Sequence, residues 1–371
     1  MNSVPLGEVC NIKTGKLDVN VGSEKGAFPF FTCAETPSRI SFYDYDCECV
    51  LIAGNGEFGV NYYNGKFNAY QRTYIVTAKE RKQTELHIPY LFLILQKSIQ
   101  RLKNQSQGSI IQYLRLPQLE ALEIPCPSLA EQKRIGAILE RADRLRRTRR
   151  YALALSDSIL PAAFLQLFGD PVTNPRHFCV AKLVDFLAFV TSGSRGWAEY
   201  YAPEGDRFIR SLDVRMNSIS EEAAVFVSPP KGTETERTRV KAGDVLLTIT
   251  GSRIGRVAPV PERLDGAFVS QHVAILRLEP GLLPVFLSMF LSLEAGGQRD
   301  IARLQYGQTK PGLNFDQIRE FRIFVPPLSL QEEFAAVVTR AERLTVVQRE
   351  SLRQAEHLFQ SLLDGAFTTG I

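Results

Sequence analysis

The 371-residue chain has only four histidines, His87, His177, His272 and His357, and they stand far apart. Cys47 and Cys49 lie one residue apart and lack partners at zinc spacing. Six cysteines scattered over so long a chain make no disulfide framework; they read as free thiols of a reducing cytoplasm. No apolar run approaches the roughly 20 residues that span a bilayer. The opening Met1-Asn2-Ser3-Val4-Pro5 lacks the basic-then-apolar layout of a signal peptide. Low-complexity tracts are missing too, and 44% hydrophobic content fits ordinary modules with real cores. A net charge of +4 is too small to argue for nucleic acid by itself.

Catalytic patterns are equally scarce. Val50-Leu-Ile-Ala-Gly-Asn-Gly-Glu-Phe-Gly59 and Val245-Leu-Leu-Thr-Ile-Thr-Gly-Ser-Arg-Ile-Gly255 are glycine-bearing strand-to-loop segments. Neither ends in the Gly-Lys-Ser/Thr of a phosphate-cradling loop, and each leads toward another strand rather than a helix. Cofactor binding is therefore not expected of them. Asn174-Pro175 opens like an amino-methyltransferase motif, but Arg176-His177 comes next where an aromatic is needed. No Pro-Asp…Glu-x-Lys nuclease cluster stands out. The reading is a chain that carries no chemistry of its own.

What the chain has is a repeat. An offset of 199 residues takes Gln132 to Gln331, Gly108 to Gly307, Leu114 to Leu313, Leu119 to Ile318, Pro127 to Pro326 and Arg141 to Arg340. A unit this long, occurring twice, is a duplicated domain and not a solenoid. Each half reads as a buried strand, a second strand, a helix opened by Pro89 or Pro284, and a proline exit into a long helix. The long helices carry heptads: Phe334, Ala341, Gln348, Ala355 and Leu362 alternating with Val337, Leu344, Ser351 and Leu358; and Ile135 and Ala142 with Ile138, Leu145, Ala152 and Ile159. Either the helices pair with each other or each packs within its own domain. Two similar units point to a partner with two sites, of which DNA is the obvious candidate.

Charge placement agrees. Residues 1–127 and 178–325 are each within one charge of neutral, while 128–164 concentrates Lys133, Arg134, Arg141, Arg144, Arg146, Arg147, Arg149 and Arg150 against four acids. That stretch is either a solvated helix face or a surface for phosphate or an acidic protein. On the glycine loops, Asn55, Glu57, Thr250, Ser252 and Arg253 have the chemistry to reach base edges, as Arg does guanine and Asn adenine; a plain tight turn is the alternative. Lys13, Lys16, Tyr62, Gln71 and Arg72 in the first half, and Arg195, Gln271, Gln308 and Lys310 in the second, complete the DNA-contact candidates. Gln132, Arg146, Arg147, Arg150 and Gln331 are the candidates for helix packing and subunit docking.

The run Ile124-Pro-Cys-Pro-Ser-Leu-Ala-Glu-Gln-Lys-Arg-Ile-Gly-Ala-Ile-Leu-Glu-Arg-Ala-Asp, with Phe164-Leu-Gln-Leu-Phe-Gly-Asp after it, resembles the central conserved helix of type I restriction–modification specificity subunits. Pro326-Pro-Leu-Ser-Leu-Gln-Glu-Glu-Phe resembles their distal one, and Pro5-Leu-Gly-Glu-Val, Val50-Leu-Ile-Ala-Gly and Gly307-Gln-Thr-Lys-Pro-Gly-Leu-Asn look like parts of their target-recognition domains. The resemblance implies an α+β architecture. Two mixed α/β target-recognition domains, 1–127 and 178–325, are separated by long helices at 128–168 and 326–371, with a linker at 169–177. The helices pack as an antiparallel coiled coil, which makes a pseudo-twofold internal repeat.

Such a protein is non-catalytic, works in the bacterial or archaeal cytoplasm away from membranes, and reads a bipartite asymmetric target on double-stranded DNA. It docks two methyltransferase subunits and the restriction subunits. S-adenosylmethionine, ATP and Mg2+ belong to those partners, and no cofactor is expected on this chain. Two other roles fit the same residues: a recognition subunit of a different DNA-modification system, and a coiled-coil protein-binding scaffold.

Overall fold

The computed structural model describes residues 3–23, 25–56, 58–82, 85–105, 113–229, 232–305 and 312–368. The chain forms two compact units, Met1–Arg150 with Glu350–Ile371, and Tyr151–Arg349. These boundaries differ from those expected at 127, 178 and 325, because each unit takes in parts of both long helices.

In the first unit a six-stranded sheet runs in the order Cys10–Thr14, Thr73–Ala78, Tyr45–Ala53, Val60–Ala69, Phe28–Phe31, Ser38–Ile40. The apolar run Cys49–Ala53 is a central strand buried on both faces, and its side chains alternate as a strand requires. Val50 and Ile52, with Val76, pack under helix Ile88–Gln105. Cys49 and Leu51, with Ile75, face Phe31 and Phe67 on the other side.

The second unit repeats the plan. Its main sheet is Leu187–Ser192, Val273–Leu278, Val245–Thr248, Val257–Pro259, antiparallel throughout. Val245 and Leu247 face helix Pro284–Ser292, while Leu246 faces a second core with Val273 and Ile275. Pro284 opens that helix at the position where its missing N–H costs nothing. The equivalence reaches the side strands: Phe30 pairs in parallel with Asn68, and Phe208 with Phe268. The second unit adds a small sheet, Tyr201–Ala202, Val225–Val227, Asp206–Ile209, Phe268–Val269. Trp197 seals it, its ring centroid 5.3 Å from Phe208 and 4.9 Å from Phe268.

The central helix is not continuous over 128–168. Leu129–Ser156 ends in a turn at Asp157–Ser158, and Ile159–Phe168 comes after it. Pro161 is the cause: with no N–H it cannot bond the Asp157 carbonyl, and the helix restarts with Ala162 donating to Ser158 O at 3.1 Å. One 18-residue stretch within Leu129–Phe168 nevertheless reaches a mean hydropathy of 1.4 with 17% of it buried, so by composition it is apolar enough to cross a membrane. The stretch is not an unbroken apolar run; leucine and alanine carry the average across polar interruptions. The turn at 157–158 divides it, and neither helix alone supplies about 20 apolar residues.

The last helix spans Leu328–Thr368. Its buried apolar positions are Phe334, Val338, Ala341, Ala355, Phe359, Leu363 and Ala366, whereas Leu344 and Leu358 are exposed. Of the expected heptad positions, Phe334, Ala341 and Ala355 are buried, while Gln348 and Leu362 are only half-buried and the alternate row is off by one residue: the apolar step after Phe334 is four, not three. The first long helix is corrected the same way, burying Ile135, Leu139 and Ala142 and leaving Leu145 and Ile159 outside.

Candidate nucleic-acid interface

One end of each main sheet is gathered by the same backbone clasp. In the first unit Leu114 N–H donates to Gly54 O at 2.9 Å, and Gly54 N–H donates to Arg72 O at 2.8 Å. In the second, Leu313 N–H donates to Ile249 O and Ile249 N–H to His272 O, both at 2.9 Å. A β-bridge joins Asn55 to Tyr113, and its counterpart joins Thr250 to Gly312. Gly15 and Gly193 close the same end. A Cβ at Gly15 would lie 2.1 Å from Ala69 O, and one at Gly193 would lie 1.9 Å from Val269 O, so only glycine permits that approach.

The clasp brings together Asn55, Gln71 and Arg72, and adds Tyr113. The Arg72 guanidinium sits 5.5 Å from the Tyr113 ring centroid, and Tyr113 is 52% exposed. Among the described residues no carboxylate pairs with Arg72, and nothing donates to the buried Asn55 Oδ1. Gln71 is exposed, its backbone N–H bonded to Leu17 O at 2.9 Å, and Lys16 is exposed beside Gly15. Lys13 is exposed on the edge strand opposite Ile75. Tyr62 stands apart in mid-sheet opposite Val50, donating to Glu48 Oε1 at 2.9 Å. Burial, then that bond, pushes its phenol up to about 12. Glu57 lies outside the described residues.

In the second unit Thr250, Ser252 and Arg253 line a cleft of about 160 Å³ with Ser211, Leu212, Gly251 and His272. Arg253 Nη1 donates to Leu212 O at 3.1 Å. The 210–213 turn that offers this carbonyl is fixed by buried Asp213, which accepts from Arg210 N at 2.9 Å and Arg210 Nη2 at 2.8 Å, with Arg207 Nη2 at 3.3 Å. The Asp213 bond holds the Arg210 guanidinium above its usual range. Gln271 Nε2 lies 3.4 Å from His272 Nε2. Arg195 is exposed between Gly193 and Gly196. Gln308 and Lys310 lie outside the described residues. A wider hollow of about 400 Å³ at Tyr201–Pro203 and Ala224–Phe226 has no charged side chain in its lining.

Sequence reasoning missed Tyr113, Ser211, Leu212 and His272. His272 had a signal, since it comes after Gln271 as Arg72 does after Gln71. The glutamines placed among the docking residues turn out to be internal. Gln132 and Gln331 are both fully buried. Arg146 bonds Asp143 at 2.6 Å and lies 4.1 Å from the Phe359 ring centroid; Arg147 pairs with Asp143 at 2.7 Å and Arg150 with Glu356 at 2.8 Å. Among the side chains the helices leave exposed are large apolar ones: Tyr151, Leu155, Ile159, Leu344, Val346 and Val347. Among the described residues, no three His, Cys, Asp or Glu side chains gather as a metal site.

Two α/β units thus share one frame and present different side chains at its clasped end. The chain belongs to the family described as the type I restriction modification DNA specificity domain, whose sequence profile matches residues 1–153 and 221–356. It is 38% identical over 138 residues to the type I restriction enzyme EcoDI specificity subunit of Escherichia coli. That match spans 37% of this chain and 30% of the relative, less than a third of its length. The fold is similar to that of the type I restriction–modification S subunit from M. genitalium (TM-score 0.64, 15% identity, 99% of this chain and 96% of that one). It is also similar to a chain from a structure titled for complex assembly and conformational transition of the type I system (TM-score 0.62, 17% identity, 100% and 98%).

Proposed function

We propose that this specificity subunit reads a bipartite, asymmetric target on double-stranded DNA, one half-sequence per unit. One observation carries the reading: the clasp is the same in both units while the side chains it presents differ. Asn55, Arg72 and Tyr113 stand where Thr250, His272 and Gly312 stand in the other unit. Identical framing with different hydrogen-bonding groups is what two different half-sequences require, since base edges are told apart by donor and acceptor pattern. Arg72, stacked and without an ionic partner among the described residues, is the guanine reader of the first unit, and Asn55 stands beside it.

The long helices are the spacer, pairing as an antiparallel coiled coil. Contacts inside the units support the direction. Arg146 and Arg150 meet Phe359 and Glu356 in the first, and Ser156 and Phe164 meet Gln348 and Phe334 in the second, one helix rising in number as the other falls. Methyltransferase subunits dock on the apolar faces left outside that seam, around Leu155 and Val347, and restriction subunits join the assembly. S-adenosylmethionine, ATP and Mg2+ are bound by those partners. The chain itself recognises and positions.

The test is a salt-dependent gel shift of the chain with its methyltransferase on target and scrambled duplexes. Retention of the target at salt that releases the scrambled duplex is expected. Equal release of both would reject sequence recognition.

A further inference from the structure

Three arginines of the second unit, Arg215, Arg253 and Arg256, are gathered by the backbone, and among the described residues the one carboxylate on them is the exposed Glu222 at Arg215. Asn217 N–H donates to Val257 O at 2.7 Å, which ties the hairpin Val214–Arg215/Ser218–Ile219 to the strand Val257–Pro259. Arg215 is thereby brought toward Arg256, the residue before that strand. Arg253 comes from the preceding loop, braced on Leu212 O. Arg256 is half-buried, and among the described residues no carboxylate or carbonyl accepts from its guanidinium. Burial, then the charges of Arg253 and Arg215, push Arg256 below the ordinary arginine range. Arg215 pairs with Glu222 at 3.1 Å, but that carboxylate is 86% exposed. A pair so wet is weak and yields readily to a stronger anion.

Like charges held together need a ligand that offsets their repulsion. A base edge is neutral and does not. A phosphate carries a full charge and accepts several charge-assisted bonds at once. We infer that Arg215, Arg253 and Arg256 form a phosphate clamp for the DNA backbone beside the 250–253 cleft. It sets the register of the second unit on the duplex and reads no sequence. The clamp rests on the DNA-recognition reading above, and it moves Arg253 from the base readers to the backbone contacts.

The test uses the full chain in complex with its methyltransferase, with target and mixed-sequence duplexes as probes over a range of salt. Arg256→Gln should weaken both duplexes by the same factor and make the slope of log K against log salt shallower by about 0.9, one phosphate contact. Arg256→Lys, which keeps the charge, should keep the slope, and the methylated sequence should be unchanged in both variants. Should Arg256→Gln fail to fold, Arg215→Gln on the exposed hairpin gives the same readout. A wild-type salt slope in a folded Gln variant overturns the clamp, as does a change in which bases are recognised. Loss of the methyltransferase at unchanged slope also overturns it, assigning the arginines to an acidic protein surface. If the wild-type complex retains no duplex, DNA recognition itself fails, an outcome distinct from failure of the clamp.

Discussion

Gln132 and Gln331 make the same three hydrogen bonds in different units. Gln132 Oε1 accepts from His87 N–H at 2.9 Å, and Gln331 Oε1 from Leu283 N–H at 2.8 Å. Each side-chain amide then donates to two carbonyls: Glu85 and Pro127 in the first unit, both at 2.9 Å, and Gly281 at 3.1 Å and Pro326 at 2.9 Å in the second. The glutamine thus staples the start of each long helix to the turn that precedes the helix over the sheet. Only an amide offers an acceptor and two donors from one buried head.

Replacing either glutamine with alanine removes the partner of a part-buried N–H and of two carbonyls. Gln132→Ala and Gln331→Ala should each destabilise the unit that holds the staple by about 2–4 kcal/mol, read by chemical denaturation. Hydrogen exchange should localise each loss to that unit. A change within about 0.5 kcal/mol would mean that the amides are not structural.

This staple explains what the sequence did and did not disclose. The 199-residue offset was plain because a buried amide at a helix start tolerates no substitute. The buried central strands were legible because Val50–Ile52 and Val245–Leu247 are apolar on both faces. The heptad slipped by one residue because apolar side chains lie next to the buried positions: Val337 beside Val338, and Leu358 beside Phe359. Tyr113 and the 210–213 turn were invisible, since long-range backbone bonds bring them to the clasp and no local pattern marks them.

His87 lies beside the first staple, its pKa lowered by burial against the opposing pull of Glu48 and with the added push of Lys133. A histidine with a depressed folded pKa binds fewer protons than in the unfolded chain. Its contribution is intact above the ordinary value of about 6.5 and is lost as pH falls below it. Stability of the first unit should therefore fall between about pH 7 and pH 5, and His87→Gln should flatten that part of the profile. A slope unchanged by the substitution would exclude His87 as its source.

The apolar helix faces make a separate prediction. Leu155 and Val347 are 50% and 62% exposed, so Leu155→Glu and Val347→Glu should change folding stability by no more than about 0.5 kcal/mol. Methyltransferase affinity should drop about tenfold or more, as for an anchor residue of an interface. Arg146→Glu should behave in the opposite way and destabilise the first unit, because Arg146 covers Phe359 and bonds Asp143. Size-exclusion chromatography with melting curves separates the two effects.

As a spacer, the helix pair should set the gap between half-sites. Matched four-residue insertions near Arg149 and Glu350 add about 6 Å and rotate the helix beyond each insertion by about 40°. The preferred gap should lengthen by one or two base pairs, with some loss of affinity and neither half-sequence altered. An unchanged gap would reject the spacer role.

Arg72→Ala should cost about 1–3 kcal/mol on duplexes carrying the half-site of the first unit and relax recognition at one base pair. Equal weakening on every duplex would make Arg72 a backbone contact instead.

The most direct measurement is base-resolution methylome sequencing of a host expressing this chain with its methyltransferase. It should be repeated with residues 1–127 exchanged for those of a relative with a different target. The account predicts an interrupted, two-part methylated sequence in which the exchange rewrites one part and leaves the other part and the gap in place. A rewritten sequence on both sides of the gap, or methylation with no split target, would contradict it.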